Sequence, residues 1–301
     1  MTVCIAAICN TKRNQPALGP LVIGFTDRML TADGGITEYE PPRPKIVKLT
    51  NSIVALTAGN LTAQTDLCRD TSKQLCEIES PDDRRTEVRA VAEKFAANVI
   101  RMRTKDAERT YLAPLGLSIE TFTSAQRTMA TEAVSHLIQN LTCFGGTGTE
   151  TIIAGSDDTG PHLYFIDELG KIACNDDIGF ATAGSGAWHA NSEFHAAGFS
   201  PDNWEVTSTL LLGYIAKKRS EATAGVGKRT DMFVIGTSNN ELWVGEYPQL
   251  YDLLEKEFQT IRGDFFKSLE GAQSRLRKHL EGIAEEAAKA AAANMGASVV
   301  E

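Results

Sequence analysis

The chain has 301 residues and a formal net charge of −9, with 42% hydrophobic and 23% charged residues. These values are ordinary for a soluble globular protein, and the length suffices for one large domain or two small ones. The acidic balance, without any block of Lys and Arg, excludes nucleic acid as the main partner, because phosphate binding requires a concentrated basic surface.

No apolar run approaches the roughly 18 residues that a membrane-spanning helix requires, so we expect no membrane partner. The apolar N-terminus lacks a basic flank, which disfavours a secretory signal. Six cysteines are scattered without the CxxC spacing of a metal site, and reduced thiols are the simpler interpretation. We therefore expect a cytoplasmic protein with no metal in its site.

The first 60 residues have the character of strands. Apolar runs at 2–9 and 21–26 are separated by turn-forming residues, and 46–49 and 52–57 form a further strand pair. A turn is expected at 32–35, where the sequence is Ala-Asp-Gly-Gly.

The apolar period then changes to three and four residues. This spacing predicts helices over 61–78 and 87–103, separated by Pro81, and a third helix over 124–139. The glycine-rich run 145–148 lacks the Lys and the spacing of a phosphate-binding loop, so we expect no nucleotide cofactor.

The second half of the chain repeats the alternation of strands and helices. The predicted strands are 150–154, 162–166, 171–173, 180–183, 231–236 and 241–244. The predicted helices are 187–197 and 206–223. Two strand blocks separated by helix pairs predict two stacked sheets with helices outside, a four-layer α+β fold.

The segment 248–301 has a different composition, rich in Glu, Lys and Ala, with apolar residues at helical spacing. It predicts one or two appended helices with a fraying end, and disorder of that end is an open alternative. The predicted organisation is therefore a domain over 1–247 and a helical extension over 248–301.

Several segments resemble, in order, parts of one known fold. They read TVCIAAIC, GFTDRMLT, PRPKIVKLTNSIVALTAGN, HLYFIDELGKI with FATAGSGAWHA, and DMFVIGTSNNELWV. Together they resemble the proteasome β-subunit and its bacterial two-ring relatives, in the superfamily of N-terminal-nucleophile (Ntn) hydrolases. The resemblance covers about residues 2–246 and implies the αββα Ntn-hydrolase sandwich, but it fixes no substrate.

The resemblance implies that Thr2 is the nucleophile after Met1 is removed, since methionine aminopeptidases cut before a small residue. A hydroxyl requires a base, and the α-amine of the same threonine, with a pKa of about 8, can serve. A nearby ammonium lowers the pKa of that amine. The resemblance assigns this ammonium to Lys45, with Asp27 holding Lys45 charged and oriented.

Three further assignments follow from the resemblance. The backbone N–H of Gly59 would stabilise the tetrahedral intermediate, and Ser185 would hydrogen-bond near the α-amine. The chain departs from the family where an Asp and a following Ser are expected. Glu221 could replace that Asp, and Thr223 that Ser, only with a shifted register.

The substrate side carries less information. The resemblance implies that Leu30, Arg43, Thr57 and Leu61 line the pocket for the residue before the scissile bond. Apolar walls with one Arg and one Thr are not diagnostic. A peptide bond is the favoured target, and a smaller amide is the alternative.

Three functions remain open at this point. The first is a threonine peptidase that assembles as a homo-oligomeric ring or stack, served by a separate ATPase unfoldase. The second is an Ntn amidohydrolase acting on a small amide. The third is a catalytically silent scaffold or binding protein, as proteasome α-subunits are. None of the three requires a cofactor.

Overall fold

The computed structural model describes residues 2–10, 20–32, 37–41, 44–76, 86–202, 204–236, 242–245 and 248–297. The chain divides into two compact units, Met1–Glu246 and Tyr247–Glu301. The first unit is an α+β structure, as predicted, and the second is helical. The turn expected at 32–35 lies largely outside the described residues.

Twelve strands occur in the described part of the first unit. In chain order they are β1 (Cys4–Cys9), β2 (Leu21–Asp27), β3 (Leu30–Ala32), β4 (Thr37–Tyr39), β5 (Ile46–Lys48), β6 (Ile53–Gly59), β7 (Thr149–Asp157), β8 (Gly160–Ile166), β9 (Ile172–Cys174), β10 (Phe180–Ala183), β11 (Thr230–Gly236) and β12 (Leu242–Gly245).

Ten of these strands form two five-stranded antiparallel sheets. The first sheet has the order β10-β1-β2-β11-β12, and the second has the order β5-β6-β7-β8-β9. The strands β3 and β4 pair with each other. Every residue of β1 and β2 is buried, which explains why these strands appear in the sequence as continuous apolar runs without alternation.

The two sheets pack face to face around one hydrophobic core. Cys4 and Phe233 from the first sheet belong to the same buried cluster as Leu56, Ile152 and Leu163 from the second. β1 and β2 are held in register by the pairing of Cys4 with Thr26. This register brings the residues before β1 next to Asp27, the last residue of β2.

Six α-helices are described in the first unit. They are α1 (Leu61–Cys76), α2 (Val88–Tyr111), α3 (Ile119–Ala125), α4 (Thr131–Thr142), α5 (Ala187–Ala196) and α6 (Val206–Ser220). α1 and α2 form a second core against the second sheet, whereas α5 and α6 contact strands of the first sheet.

The single helix predicted over 124–139 is wrong, because two helices occupy this region. Ser118 begins α3 through a capping box with Thr121, and α4 begins only at Thr131. No residue of α4 is buried, so the apolar residues of this helix, although they have helical spacing, are not part of a hydrophobic core.

The described part of the second unit is one helix, α7 (Pro248–Ala297), with 50 residues. A helix of this length extends about 75 Å at 1.5 Å per residue. None of the described helices, α7 included, combines the length and the apolar character needed to cross a bilayer.

Candidate active site

The hydroxyl of Thr2 bonds to two charged side chains. It donates to Oδ1 of Asp27 and accepts a hydrogen bond from Nζ of Lys45. The Lys45 Nζ atom lies 3.1 and 3.2 Å from the two carboxylate oxygens of Asp27. Thr2 is only 2% exposed and Asp27 is fully buried, so water screens these charges little.

Backbone groups from three parts of the fold fix the Asp27 carboxylate. The N–H of Val3 donates to Oδ1 at 3.0 Å. The N–H groups of Met29 and Gly227 donate to Oδ2 at 2.8 and 2.9 Å. The carboxylate therefore has its partners in place and cannot rotate away from Thr2 without breaking them.

The Gly-Ser-Gly turn between β10 and α5 holds the Thr2 main chain. The Thr2 nitrogen donates to Oγ of Ser185 at 3.2 Å, and the N–H of Gly186 donates to the Thr2 carbonyl oxygen at 3.0 Å. Gly184 has a φ of +90°, and a Cβ atom there would overlap the Thr2 carbonyl. A glycine is required at this position because the turn approaches Thr2 so closely.

Cavities lie on both sides of Thr2. On the side of Lys45, a cavity of about 430 Å³ is lined by Thr2, Leu30, Lys45 and Leu61, among others. A neighbouring cavity of about 570 Å³ shares Leu30, Lys45 and Leu61 and adds Thr57. Three of the four predicted pocket residues thus line cavities at this site. The fourth, Arg43, lies outside the described residues.

A third cavity, of about 460 Å³, lies on the side of Ser185. Thr2, Glu150 and Ser185 contribute to its wall, together with Trp188. The Trp188 side chain is 84% exposed, which is unusual for so large an apolar group. Sequence analysis missed Trp188, although its place in the first turn of the helix after Gly-Ser-Gly was a usable signal.

Gly59 ends β6 and lines both cavities that adjoin Thr2. Its φ is +106°, and a Cβ atom there would overlap the carbonyl oxygen of Gly148. The structure therefore places Gly59 beside Thr2 in a conformation that favours glycine.

Glu221 is bonded to two lysines at the end of α6 and is linked to Asp27 only through Lys217 and Gly227. Its carboxylate accepts a hydrogen bond from Lys217 at 2.6 Å and pairs with Lys218 at 3.1 Å. Glu221 follows the end of α6, so it lies one turn beyond Lys217, where an i,i+4 pair forms. Thr223 belongs to the turn after α6, where its N–H bonds to the carbonyl oxygen of Ser220.

Lys217 and Ser220 are site neighbours that sequence analysis missed. The Lys217 ammonium donates to Glu221 and to the carbonyl oxygens of Gly227 and Lys228. The Ser220 hydroxyl donates to the carbonyl oxygen of Gly186 at 3.0 Å. The end of α6 is thus tied to the Gly-Ser-Gly turn and to the loop that contacts Asp27.

The buried thiols of Cys4 and Cys68 are unsuited to nucleophilic attack, although Cys68 lines the cavity of about 570 Å³. Burial raises the pKa of each thiol to about 12, so their thiolates are scarce at neutral pH. Across the residues that the structure describes, no group of three or more His, Cys, Asp or Glu side chains is arranged to hold a metal ion. The Thr2 hydroxyl, bonded to both Asp27 and Lys45, is the candidate nucleophile.

Comparison with known proteins adds no relative. No protein-family model matches the chain, and no curated protein matches it.

Proposed function

We propose that the first unit is an N-terminal-nucleophile hydrolase of the proteasome β type, in which Thr2 attacks an amide carbonyl and peptide bonds are the favoured substrate. The observation that carries this proposal is the Thr2 hydroxyl, bonded at once to Lys45 and Asp27. If Thr2 were only the polar first residue of a strand, its hydroxyl would not need an ammonium and a carboxylate as hydrogen-bond partners.

The packing of the first unit supports the corresponding fold, the four-layer αββα Ntn sandwich. The two sheets share one core, α1 and α2 cover the second sheet, and α5 and α6 contact the first. In this fold the start of β1 lies at one end of the sheet pair, where a released terminus reaches the cavities.

The mechanism requires that Thr2 be the N-terminal residue. Its nitrogen is then an α-amine, which accepts the hydroxyl proton directly or through a water molecule while Oγ forms a bond to the carbonyl carbon. The adjacent Lys45 ammonium lowers the pKa of this amine, so that it is neutral and basic at neutral pH. Asp27 keeps that ammonium in place.

The tetrahedral oxyanion would accept a hydrogen bond from the N–H of Gly59. Collapse of the intermediate breaks the C–N bond, and the leaving amine takes the proton from the Thr2 α-amine. The acyl group remains on Oγ as an ester. A water molecule, deprotonated by the same α-amine, then hydrolyses the ester and restores the hydroxyl.

Space on both sides of Thr2 favours a peptide over a small amide. The acyl part would occupy the cavities lined by Leu30, Thr57 and Leu61. The leaving group would extend along the cavity on the side of Ser185 toward Trp188. A homo-oligomeric ring or stack, a separate ATPase unfoldase and a cytoplasmic location belong to the same proposal.

The intact mass of the purified protein tests the nucleophile. We expect a mass that begins at Thr2 and, after treatment with an epoxyketone, a single adduct, because this reagent reacts with both the hydroxyl and the amine of an N-terminal threonine. Thr2→Ala should form no adduct. A free Thr2 terminus without an adduct, or an adduct that persists in Thr2→Ala, would contradict the proposal.

Trp188 distinguishes peptides from small amides. Trp188→Ala should raise KM for peptides that extend several residues beyond the scissile bond and leave short amides unaffected. Because the side chain is 84% exposed, the melting temperature should not change. Equal KM changes for long and short substrates would favour the small-amide alternative.

A further inference from the structure

The helix α7 carries a regular apolar repeat of 11 residues. Its members fall into three series, each with a spacing of 11: Leu254, Phe265 and Leu276; Phe258, Leu269 and Leu280; Ile261, Ala272 and Ile283. Eleven residues in three turns give about 3.67 residues per turn, close to the α-helical 3.6, so these side chains share one face. We call this face the apolar stripe.

Much of the apolar stripe is open to solvent. The side chains of Phe265, Leu276 and Leu280 are 61%, 62% and 64% exposed. Lysines recur with the same spacing of 11 at Lys267 and Lys278, which lie on the opposite face. The helix is thus amphipathic, with apolar side chains on one face and lysines on the other.

The length of the stripe matches a coiled coil. Residues 254–283 extend about 44 Å along the helix axis. A stable coiled coil needs a repeat sustained over roughly three to four heptads, and the stripe, at about four heptads, meets that length. An 11-residue period winds with a shallow right-handed supercoil.

We propose that α7 pairs antiparallel with α7 of a second copy of this chain through the apolar stripe, with the two helices crossing between residues 270 and 271.

The spacing of the stripe makes it complementary to itself in this orientation. The crossing point places Phe258 opposite Ile283, Ile261 opposite Leu280, Phe265 opposite Leu276, and Leu269 opposite Ala272 of the other copy. No aromatic residue meets an aromatic residue and no alanine meets an alanine. Such alternation of larger and smaller groups allows even packing.

A parallel pair in register would pack unevenly. Phe265 would face Phe265 and hold the helices apart, whereas Ala272 would face Ala272 two turns later and leave a gap. Voids and forced separations of this kind both reduce stability.

Charges beside the stripe favour the same orientation. In the antiparallel pair, positions on one side of the stripe meet the same side of the other copy, which brings Asp264 near Arg275 twice by symmetry. In the parallel pair, opposite sides meet, and Arg275 of one copy approaches Arg277 of the other. The first arrangement is attractive and the second is repulsive.

Sedimentation equilibrium of the full chain tests the pairing. We expect Leu276→Glu combined with Leu280→Glu to raise the dissociation constant of self-association at least 100-fold. The control Ser274→Glu adds a carboxylate to the opposite, solvent-exposed face and should leave the dissociation constant unchanged. Equal self-association of the Leu276→Glu/Leu280→Glu variant and the unaltered chain would overturn the proposal.

A charge exchange tests the orientation without altering the stripe. Asp264→Arg and Arg275→Asp should each weaken association several-fold, and the combined variant should restore it, because the attraction is regained with the charges exchanged. Tighter association of Arg275→Asp alone would overturn the antiparallel orientation. Helical ellipticity at 222 nm shows whether α7 is retained in each variant.

This inference does not depend on the proposed chemistry at Thr2. Adduct formation at Thr2 reports on the hydrolase, and the change in dissociation constant between the α7 variants and their controls reports on α7, so either can fail alone.

Discussion

The Nζ atom of Lys217 lies 3.0 Å from the carbonyl oxygen of Gly227, and the N–H of the same glycine donates to Asp27 at 2.9 Å. Lys217 has no exposed surface. Its burial lowers the pKa of the ammonium, and the Glu221 carboxylate opposes that shift. A buried cation therefore fixes the loop that holds the carboxylate beside Thr2.

Removal of this cation should destabilise the first unit. Lys217→Met leaves the buried carbonyl oxygen of Gly227 and the partly buried one of Lys228 without their donor. It also leaves Glu221 without its closer partner, so we expect a loss of about 3 kcal/mol in the free energy of unfolding. Urea denaturation measures it. Lys218→Met, which removes the less buried partner of Glu221, should cost less than about 1 kcal/mol. Equal losses in the two variants would contradict this role.

Lys45 should control the reactivity of Thr2. Lys45→Ala removes the ammonium that bonds to the hydroxyl, and we expect the rate of epoxyketone adduct formation to fall about 10²- to 10⁴-fold. Lys48→Ala is the matched control, because Lys48 is exposed on the neighbouring strand β5. Time-resolved intact mass measures both rates. An unchanged rate in Lys45→Ala would exclude Lys45 from the chemistry.

Gly59→Ala should destabilise the site through the backbone. At a φ of +106° a Cβ atom is strained and would also overlap the Gly148 carbonyl oxygen, so the expected cost exceeds about 2 kcal/mol. Gly198 has a φ of +62° and open space around its Cβ position. Gly198→Ala should therefore cost only about 1 kcal/mol. Urea denaturation measures the free energy of unfolding of both variants. Equal losses would show that the overlap with Gly148 adds little to the cost of the left-handed conformation.

Asp157 should contribute stability that is lost in acid. Burial alone would raise the pKa of its carboxyl group, but hydrogen bonds from Thr159 and from the N–H of Val88, with the nearby His162, lower that pKa below its ordinary value. A lowered pKa means that the unfolded chain binds protons more readily, so this stabilisation is complete above about pH 4 and is lost as the pH falls through the folded-state pKa.

The comparison with Asp157→Asn measures this contribution. At pH 7 the variant should be less stable by about 1–3 kcal/mol, and the difference should shrink below about pH 4. Urea denaturation at several pH values tests it. A difference that is constant between pH 7 and pH 3 would show that the charge of Asp157 is not its source.

The sequence predicted the α+β class correctly because the strands and helices differ in apolar period. It also indicated Thr2, Asp27, Lys45 and Ser185, which the structure brings together. Each of these residues lies at the end of a strand or in a turn, so its position in the fold follows from where that strand begins or ends. Sequence analysis did not find the contact of Lys217 with Gly227, because a lysine on a helix is usually a solvated charge.

The sequence also did not predict where α3 ends and α4 begins. The apolar spacing continues across residues 126–130, and this periodicity does not reveal a turn between two short helices. Glu221 was assigned by its resemblance to a family position. In the structure it forms an i,i+4 ion pair with Lys217, and its part in the site stays a prediction.

The distribution of the six cysteines determines how this protein can be labelled. Cys4, Cys9 and Cys68 are buried, and burial raises the pKa of each thiol to about 12, so alkylating dyes cannot reach reactive thiolates there. Cys76, Cys143 and Cys174 are exposed, and α7 contains no cysteine. Fluorophores can therefore be attached at three native positions of the first unit while both Thr2 and the apolar stripe stay chemically untouched.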